Sequence, residues 1–205
     1  MAADAIVHVI DDDEAVRQSL EFLLRASGVA ARTYESASAF LNALPTIKTG
    51  CVITDVRMPG ISGIELLKRL GELQVKLPVI VITGHGDVPL AVEAMKNGAV
   101  DFLEKPFEDE RLVAMIEIAL RFAQPAAMGD AVAQDIAARV ASLSPRERQV
   151  MDGLVAGLSN KLIAREYEIS PRTIEVYRAN VMTKMQAGSL SELVRFAMRA
   201  GLVKD

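Results

Sequence analysis

Short apolar runs alternate with amphipathic stretches over the first 122 residues of the chain. Three of the apolar runs are almost continuously hydrophobic, which is typical of parallel strands covered on both faces. The runs predicted to be strands are Ile6–Ile10, Ala30–Tyr34, Cys51–Thr54, Val79–Thr83 and Asp101–Glu104. The stretches predicted to be helices are Glu14–Ser27, Ala37–Leu44, Gly63–Leu73, Pro89–Asn97 and Asp109–Phe122. This (βα)5 alternation predicts an α/β fold with a doubly wound parallel sheet.

The last third of the chain has helix start signals and no strand-like run. Ser144-Pro145-Arg146-Glu147 combines an N-cap serine, a proline at the first helical position and a glutamate at the third. The predicted helices begin near Ser144, Ser159, Ser170 and Ser191. A short helix, a tight turn at Glu168–Ser170 and a second helix with basic groups are typical of a helix-turn-helix. The pattern predicts an all-α domain of four helices.

A segment rich in proline, glycine and alanine separates the two patterns, at Gln124–Asp130. Val132, Ile136 and Val140 follow it at helical spacing, so part of the connection is open to a helical interpretation. We therefore predict an α/β domain over residues 1–123, a linker, partly helical, over residues 124–138, and a helical domain over residues 139–205.

The charge of the chain is unevenly distributed. The formal net charge is −4, which as a single number argues against a nucleic-acid partner. Residues 1–124, however, have a net charge of −6, and residues 139–205 have a net charge of +4. An acidic first domain and a basic second domain indicate different partners for the two.

Composition excludes several classes of protein. The single cysteine, Cys51, allows no intramolecular disulfide and no thiolate zinc site, and the two histidines are far apart in sequence. No apolar run is long enough to cross a membrane, and the N-terminus lacks the pattern of a secretory signal. We expect a cytoplasmic protein with no membrane partner.

Charged and hydroxyl side chains follow four of the predicted strands, at the end of the sheet where doubly wound folds bind ligands. They are Asp11, Asp12 and Asp13, then Asp55, Thr83 and Lys105. Clustered carboxylates repel one another unless a hard cation lies between them, and Mg²⁺ prefers few carboxylates, waters and phosphate oxygens. Lys105 suits a phosphoryl oxygen, and Asp55 beside the cation is a candidate nucleophile that would form an aspartyl phosphate. For Asp13 alone, a helix-capping role is favoured.

Residues 5–123 resemble the receiver domain of bacterial response regulators. The resemblance implies that Asp55 is the phosphoacceptor, that Thr83 and Lys105 contact the phosphoryl group, and that the bond before Pro106 is cis. It also implies that Phe102 changes rotamer on activation, although a core aromatic would look the same in sequence. The residues implied to hold Mg²⁺ (or Mn²⁺) are Asp11, Asp12, Asp55 and, through its backbone carbonyl, Arg57. The matching stretches are Val9–Glu14, Asp55–Gly60, Val81–Gly86 and Phe102–Phe107.

Residues 142–201 resemble the helix-turn-helix output domain of the FixJ/LuxR (NarL) family. The matching stretches are Leu143–Val150, Gly157–Lys161 and Ile169–Arg178. Tyr177 and Ile174 stand where the family commonly has histidine and valine, and both substitutions keep the apolar character. The resemblance implies that the third helix of this domain, from Ser170, enters the major groove of DNA.

Helical geometry sorts the residues of that recognition helix. Ile174, Tyr177, Val181 and Met185 share one face and are expected to pack inward. Arg178 lies near the inward edge, where pairing with Glu147 and contact with DNA are equally open. The residues predicted to contact DNA are Lys161, Arg172, Thr173, Glu175, Val176, Arg178, Ala179 and Lys184. Glutamate can accept from cytosine, small apolar groups can contact thymine methyls, and basic or hydroxyl groups suit phosphates.

The two resemblances together imply a two-component response regulator and not an enzyme with a separate substrate. A sensor histidine kinase, of the oxygen-sensing FixL-like kind, would phosphorylate it. A phosphorylated homodimer would bind DNA, with RNA polymerase as a further partner. The close family match implies activation of nitrogen-fixation or low-oxygen genes; the alternative is a related FixJ-family regulator with other target genes.

Two other classes remain open from the residues alone. A magnesium phosphatase of the haloacid dehalogenase type also forms an aspartyl phosphate, but needs a second aspartate two residues later. Position 57 is arginine, so the pair Asp11 and Asp13 is the only candidate for that motif. A receiver joined to a protein-binding helical module is the third interpretation, and it predicts no salt-dependent DNA binding.

Overall fold

A computed structural model of the chain describes residues 6–84, 88–122 and 130–202. The chain divides into two compact units, the first with residues 1–86 and 97–126, the second with residues 87–96 and 127–205. By this division the helix α4 (Val88–Lys96) is counted with the second unit. Each unit is described by itself.

A parallel five-stranded sheet forms the centre of the first unit, with the strand order β2-β1-β3-β4-β5. The order places β2 and β1 on one side of β3, and β4 and β5 on the other, as in a doubly wound sheet. The predicted fold is confirmed. The strands are β1 (Ile6–Ile10), β2 (Ala30–Tyr34), β3 (Cys51–Asp55), β4 (Val79–Thr83) and β5 (Asp101–Glu104).

The apolar runs are buried strands, as their composition predicts. Every residue of β3 and of β4 is buried, because helices cover both faces of the sheet. The core around Ile53 and Ile80 includes Leu24 of α1 and Leu112 of α5. The helices of this segment are α1 (Glu14–Ala26), α2 (Ala37–Ala43), α3 (Gly63–Glu72) and α5 (Asp109–Phe122). A short 3₁₀ helix, Leu44–Thr46, follows α2.

Side-chain caps fix where the helices begin. Asp13 accepts from the backbone N–H of Ala15 at 2.8 Å, so the capping role expected for this aspartate is confirmed. Ser62 caps α3 by accepting from the N–H of Glu65 at 3.1 Å. Both caps lie at the carboxyl-terminal edge of the sheet, so they also fix the loops that carry the acidic residues.

The second unit includes the helices α6 (Asp130–Ala141), α7 (Pro145–Val155), α8 (Asn160–Glu166), α9 (Pro171–Met185) and α10 (Leu190–Arg199). Ser144 and Glu147 form the predicted capping box of α7. The last helix begins at Leu190 and not at Ser191, because Ser189 is its N-cap and accepts from the N–H of Glu192 at 3.2 Å. The helix α6 covers residues 130–138 of the segment predicted as a linker, so much of that segment is helical.

Candidate functional site

Polar residues from four neighbouring strands meet at the carboxyl-terminal edge of the sheet. Asp11 follows β1, Asp55 is the last residue of β3, Thr83 is the last residue of β4, and Lys105 follows β5. These strands are adjacent in the sheet, so residues far apart in sequence become neighbours. The predicted convergence of carboxylates, hydroxyl and ammonium at one edge is what the topology produces.

The Lys105 ammonium lies between two carboxylates. Its Nζ is 2.9 Å from Asp11 Oδ2 and 3.0 Å from Asp55 Oδ1. The side chains of Asp11 and Asp55 are only 6% and 11% exposed, so both depend on this cation for neutralisation. Burial opposes the charge on Lys105, but hydrogen bonds and attraction from Asp11 and Asp55 outweigh it and raise the pKa of the ammonium.

Backbone N–H groups orient both carboxylates. The N–H of Arg57 donates to Asp55 Oδ2 at 2.6 Å, and the N–H of Asp13 donates to Asp11 Oδ1 at 2.9 Å. Each carboxylate thus uses one oxygen on its own loop and turns the other toward Lys105. Both oxygens of Asp55 therefore have a hydrogen-bond donor, the Arg57 N–H on one and Lys105 Nζ on the other.

The other residues of the predicted site lie on β4 and β5 or directly after them. Thr83 is fully buried, and its carbonyl accepts from the backbone N–H of Lys105 at 2.8 Å. Phe102 is half-buried in β5, opposite Val81. The peptide between Lys105 and Pro106 is cis, as predicted. The matching stretch Val81–Gly86 continues into the loop after Thr83. Residues 85–87 of that loop lie outside the described residues.

The donor set at this edge suits a hard cation. Asp11 and Asp55 are carboxylates, Asp12 is exposed beside them, and Arg57 has a backbone carbonyl in the loop after β3. Across the described ranges, no group of three or more His, Cys, Asp or Glu side chains is close enough together to hold a metal without further ligands. A cation with few protein ligands and several waters, which is how Mg²⁺ binds, fits such residues.

One contact in the acidic loop was not predicted from sequence. The Arg17 guanidinium donates from Nη1 to the backbone carbonyls of Asp11 at 2.8 Å and Asp12 at 2.9 Å. It thereby fixes the loop that carries two of the predicted metal ligands. The only signal in sequence was a basic residue on the first turns of the following helix.

The recognition helix α9 has the two faces that helical geometry predicted. Ile174, Val181 and Met185 are fully buried, and Tyr177 is half-buried against the same core. The opposite face is exposed, and Val176 has 58% of its surface accessible. The predicted DNA-contacting residues that are exposed are Lys161, Arg172, Glu175, Val176, Ala179 and Lys184. Thr173 and Arg178 are partly buried.

Lys184 has a partner inside the helical unit. Its Nζ is 2.7 Å from Glu147 Oε2, and Glu147 also accepts from the backbone N–H of Ser144 at 2.7 Å. The sequence leaves Glu147 open as a partner of Arg178, but in the structure Glu147 pairs with Lys184. The pair joins the first turn of α7 to the last turn of α9, and the Lys184 side chain stays 41% exposed, so the predicted phosphate contact remains a prediction.

This pair makes stability depend on pH. The hydrogen bond from Lys184, then that from the Ser144 N–H, lowers the pKa of Glu147 from 4.5 to about 2. A lowered folded-state pKa stabilises the fold fully above about pH 4.5, and this contribution is lost as pH falls toward 2. We expect the difference in thermal midpoint between wild type and Glu147→Gln to shrink over that range. A difference that stays constant down to pH 2 would contradict the assignment.

Comparison with known proteins identifies the family. Residues 7–117 match the response regulator receiver domain, and residues 141–197 match the LuxR family of bacterial regulatory proteins. The chain belongs to the two-component response regulators with a LuxR-type DNA-binding domain, and it is a transcriptional regulator of the FixJ type. This family membership supports the response-regulator interpretation over the phosphatase and protein-binding interpretations.

Full-length relatives share both domains. The chain is 70% identical to the transcriptional regulatory protein FixJ of Bradyrhizobium diazoefficiens over 205 residues, covering 100% of each chain. It is 54% identical to FixJ of Rhizobium meliloti over 198 residues, covering 97% of each. A crystal structure of full-length FixJ from B. japonicum matches with 71% identity and a TM-score of 0.58, covering 98% of this chain and 99% of the other. In the described part of the chain, no helix has the length and apolarity to cross a membrane.

Proposed function

We propose that a sensor histidine kinase transfers a phosphoryl group to Asp55 and so switches DNA binding by the helical domain. The observation that carries this proposal is the arrangement at the sheet edge, where the Lys105 ammonium holds the carboxylates of Asp11 and Asp55 together. The proposed domains are the receiver over residues 1–123, the linker over 124–138 and the DNA-binding domain over 139–205.

In the proposed reaction a carboxylate oxygen of Asp55 attacks phosphorus as the bond to the donor's histidine nitrogen breaks. The electron pair of the broken bond goes to that nitrogen, and Asp55 becomes an acyl phosphate. Lys105 then moves from the carboxylate to a phosphoryl oxygen, and the Thr83 hydroxyl donates to another. When bound, Mg²⁺ (or Mn²⁺) supplies positive charge at these oxygens. The residues that would hold it are Asp11, Asp12, Asp55 and the carbonyl of Arg57.

The proposed response begins at the residues that meet the new charge. Thr83 and the half-buried Phe102 would rearrange and remodel a face of the receiver domain. A homodimer formed through this face would present two recognition helices to two half-sites of DNA. One domain of net charge +4 has only modest attraction to DNA phosphates. A dimer would bind more tightly, because its two linked domains bind the same DNA together.

The proposed DNA interface is the exposed side of α9 with the start of α8. Lys161, Arg172 and Thr173 would contact phosphates, while Glu175, Val176 and Ala179 would reach base edges. Arg178, half-buried at the edge of the face, and Lys184, exposed but paired with Glu147, are further proposed contacts.

The biological setting is proposed from the relatives. The FixJ name of the similar proteins supports nitrogen-fixation or low-oxygen genes as targets, with a FixL-like oxygen-sensing kinase and RNA polymerase as partners. The alternative is a different set of genes, since "Nodulation protein W" of B. diazoefficiens is also 39% identical. The protein would act in the cytoplasm, where its DNA is, and its only chemistry would be its own phosphorylation and dephosphorylation.

The DNA-binding role predicts a distinct effect of Arg172. Arg172→Met should weaken binding to all duplexes alike and reduce the slope of log K against log salt by about 1, because one phosphate contact is lost. The measurement is DNA affinity at several salt concentrations for the full chain. Arg25→Met, which removes an exposed arginine paired with Glu21 on α1, is the matched control and should leave the slope unchanged. Binding that does not depend on salt at all would contradict the proposed function.

A further inference from the structure

The helix α6 is packed into the helical unit. Ile136 is only 1% exposed and belongs to the same core as Leu154, Ile174 and Leu193. Val140, one turn further along, is partly buried against that core. Ile136 and Val140, two of the apolar positions at helical spacing in the predicted linker, thus attach α6 to the core formed with α7, α9 and α10.

Arg139 makes three contacts from this helix. Its Nη1 donates to the backbone carbonyl of Met185 at 3.0 Å, and its Nη2 is 2.5 Å from Asp135 Oδ2. Its Cζ lies 5.7 Å from the centre of the Phe196 ring, in a cation–π geometry. The side chain is 21% exposed, so the guanidinium is largely enclosed by these groups.

The carbonyl that Arg139 binds is at the end of the recognition helix. Met185 is the last residue of α9, and Gln186 ends the helix in a left-handed conformation with φ 53°. The last carbonyls of a helix have no partner within the helix, and a cation beside them also interacts favourably with the helix dipole. Arg139 supplies both the donor and the charge, and connects this end of α9 to α6 and α10.

We propose that α6 is an integral helix of the DNA-binding unit, which moves the start of that unit from residue 139 to residue 130, and that Arg139 is a positioning residue of the recognition helix. The family match to the LuxR-type domain begins at residue 141, so Arg139 lies outside it. The guanidinium holds the end of α9 in place without itself facing DNA. This inference rests on the proposed role of α9 in reading DNA.

The test uses the full chain and two DNA probes: a duplex selected by the wild type from a randomised pool, and an unselected duplex of equal length. Arg139→Met should bind the selected duplex about tenfold more weakly, equivalent to about 1.4 kcal/mol, and lose less on the unselected duplex. The salt slope should stay that of wild type, because no phosphate contact is removed. Arg139→Lys, which keeps the charge and one donor for Met185, should recover affinity to within about threefold of wild type.

The control is again Arg25→Met, which removes an exposed arginine of a similar i,i+4 ion pair and should bind both duplexes as wild type does. Two results overturn the inference: unchanged affinity of Arg139→Met for the selected duplex, or an equal loss on both duplexes with a smaller salt slope, which would make Arg139 a phosphate contact. Failure of the wild type itself to bind DNA would instead overturn the proposed function.

Hydrogen exchange keeps the inference testable if Arg139→Met does not fold. The N–H groups of Gln186 and Ala187 donate to Thr183 and Met182 in the last turn of α9. In Arg139→Gln, which removes the charge and the guanidinium, these two amides should exchange faster than in wild type, while the amides of the first turn of α9 should not change. Equal exchange in the last turn would overturn the inference.

Discussion

Asp55→Asn should abolish covalent phosphorylation of the protein by a small phosphodonor in the presence of Mg²⁺. The wild type should gain the mass of one phosphoryl group, because Asp55 is a buried carboxylate oriented by the Arg57 N–H and neutralised by Lys105. Asparagine keeps the shape and the hydrogen bond from Arg57 but is not a nucleophile. The measurement is the intact mass of both proteins over time.

Asp152→Asn is the matched control for this substitution. Asp152 is an exposed aspartate of α7 paired with Arg148, and the same chemical change there should leave phosphorylation as in wild type. Phosphorylation of Asp55→Asn at the wild-type rate would contradict the assignment of Asp55 as the phosphoacceptor. Loss in Asp11→Asn together with retention in Asp55→Asn would revive the phosphatase interpretation.

Gly63→Ala should be the most destabilising small substitution at the phosphoacceptor site. A Cβ on Gly63 would lie 2.2 Å from the carbonyl oxygen of Asp55 and 3.2 Å from Thr54 Oγ1. The obstacle is the backbone of β3, which cannot move aside as a flexible side chain can, so either the start of α3 or Asp55 must shift. We expect a loss of about 3 kcal/mol or more in the free energy of unfolding and slower phosphorylation of Asp55.

Gly71→Ala, in the same helix α3, provides the control. A Cβ at Gly71 meets nothing within 4 Å. The substitution should therefore stabilise the protein by about 0.5–1 kcal/mol, through the lower backbone entropy of alanine in a helix. Urea unfolding followed by circular dichroism measures both variants. Equal stabilities for the two would contradict the close approach of α3 to Asp55.

The sequence predicted the features that depend on local pattern. The strands were predictable because runs such as Val79–Thr83 are apolar on both faces, and the start of α7 because its capping box is a local motif. The convergence of Asp11, Asp55 and Lys105 followed from the topology, since the ends of adjacent parallel strands share one edge.

Contacts between distant helices could not be predicted in this way. Glu147 and Lys184 are 37 positions apart, and Arg139 and Met185 are 46 apart. Which cation reaches Glu147 depends on how α7 crosses α9, and periodicity gives each helix its inward face but not that crossing. For this reason the sequence leaves Arg178 open as the partner of Glu147. Arg178 lies one or two turns of α9 away from Lys184, which is the actual partner.

The central claim is that phosphorylation of Asp55 controls DNA binding, and paired affinity measurements test it most directly. Affinity for a duplex selected from a randomised pool is measured before and after incubation with a small phosphodonor and Mg²⁺, for wild type and Asp55→Asn, with the oligomeric state recorded in each sample. We expect the wild type to dimerise and bind more tightly after incubation, while Asp55→Asn remains unchanged in both respects. Equal tightening in the two proteins, or none in a wild type shown by mass to be phosphorylated, would contradict it.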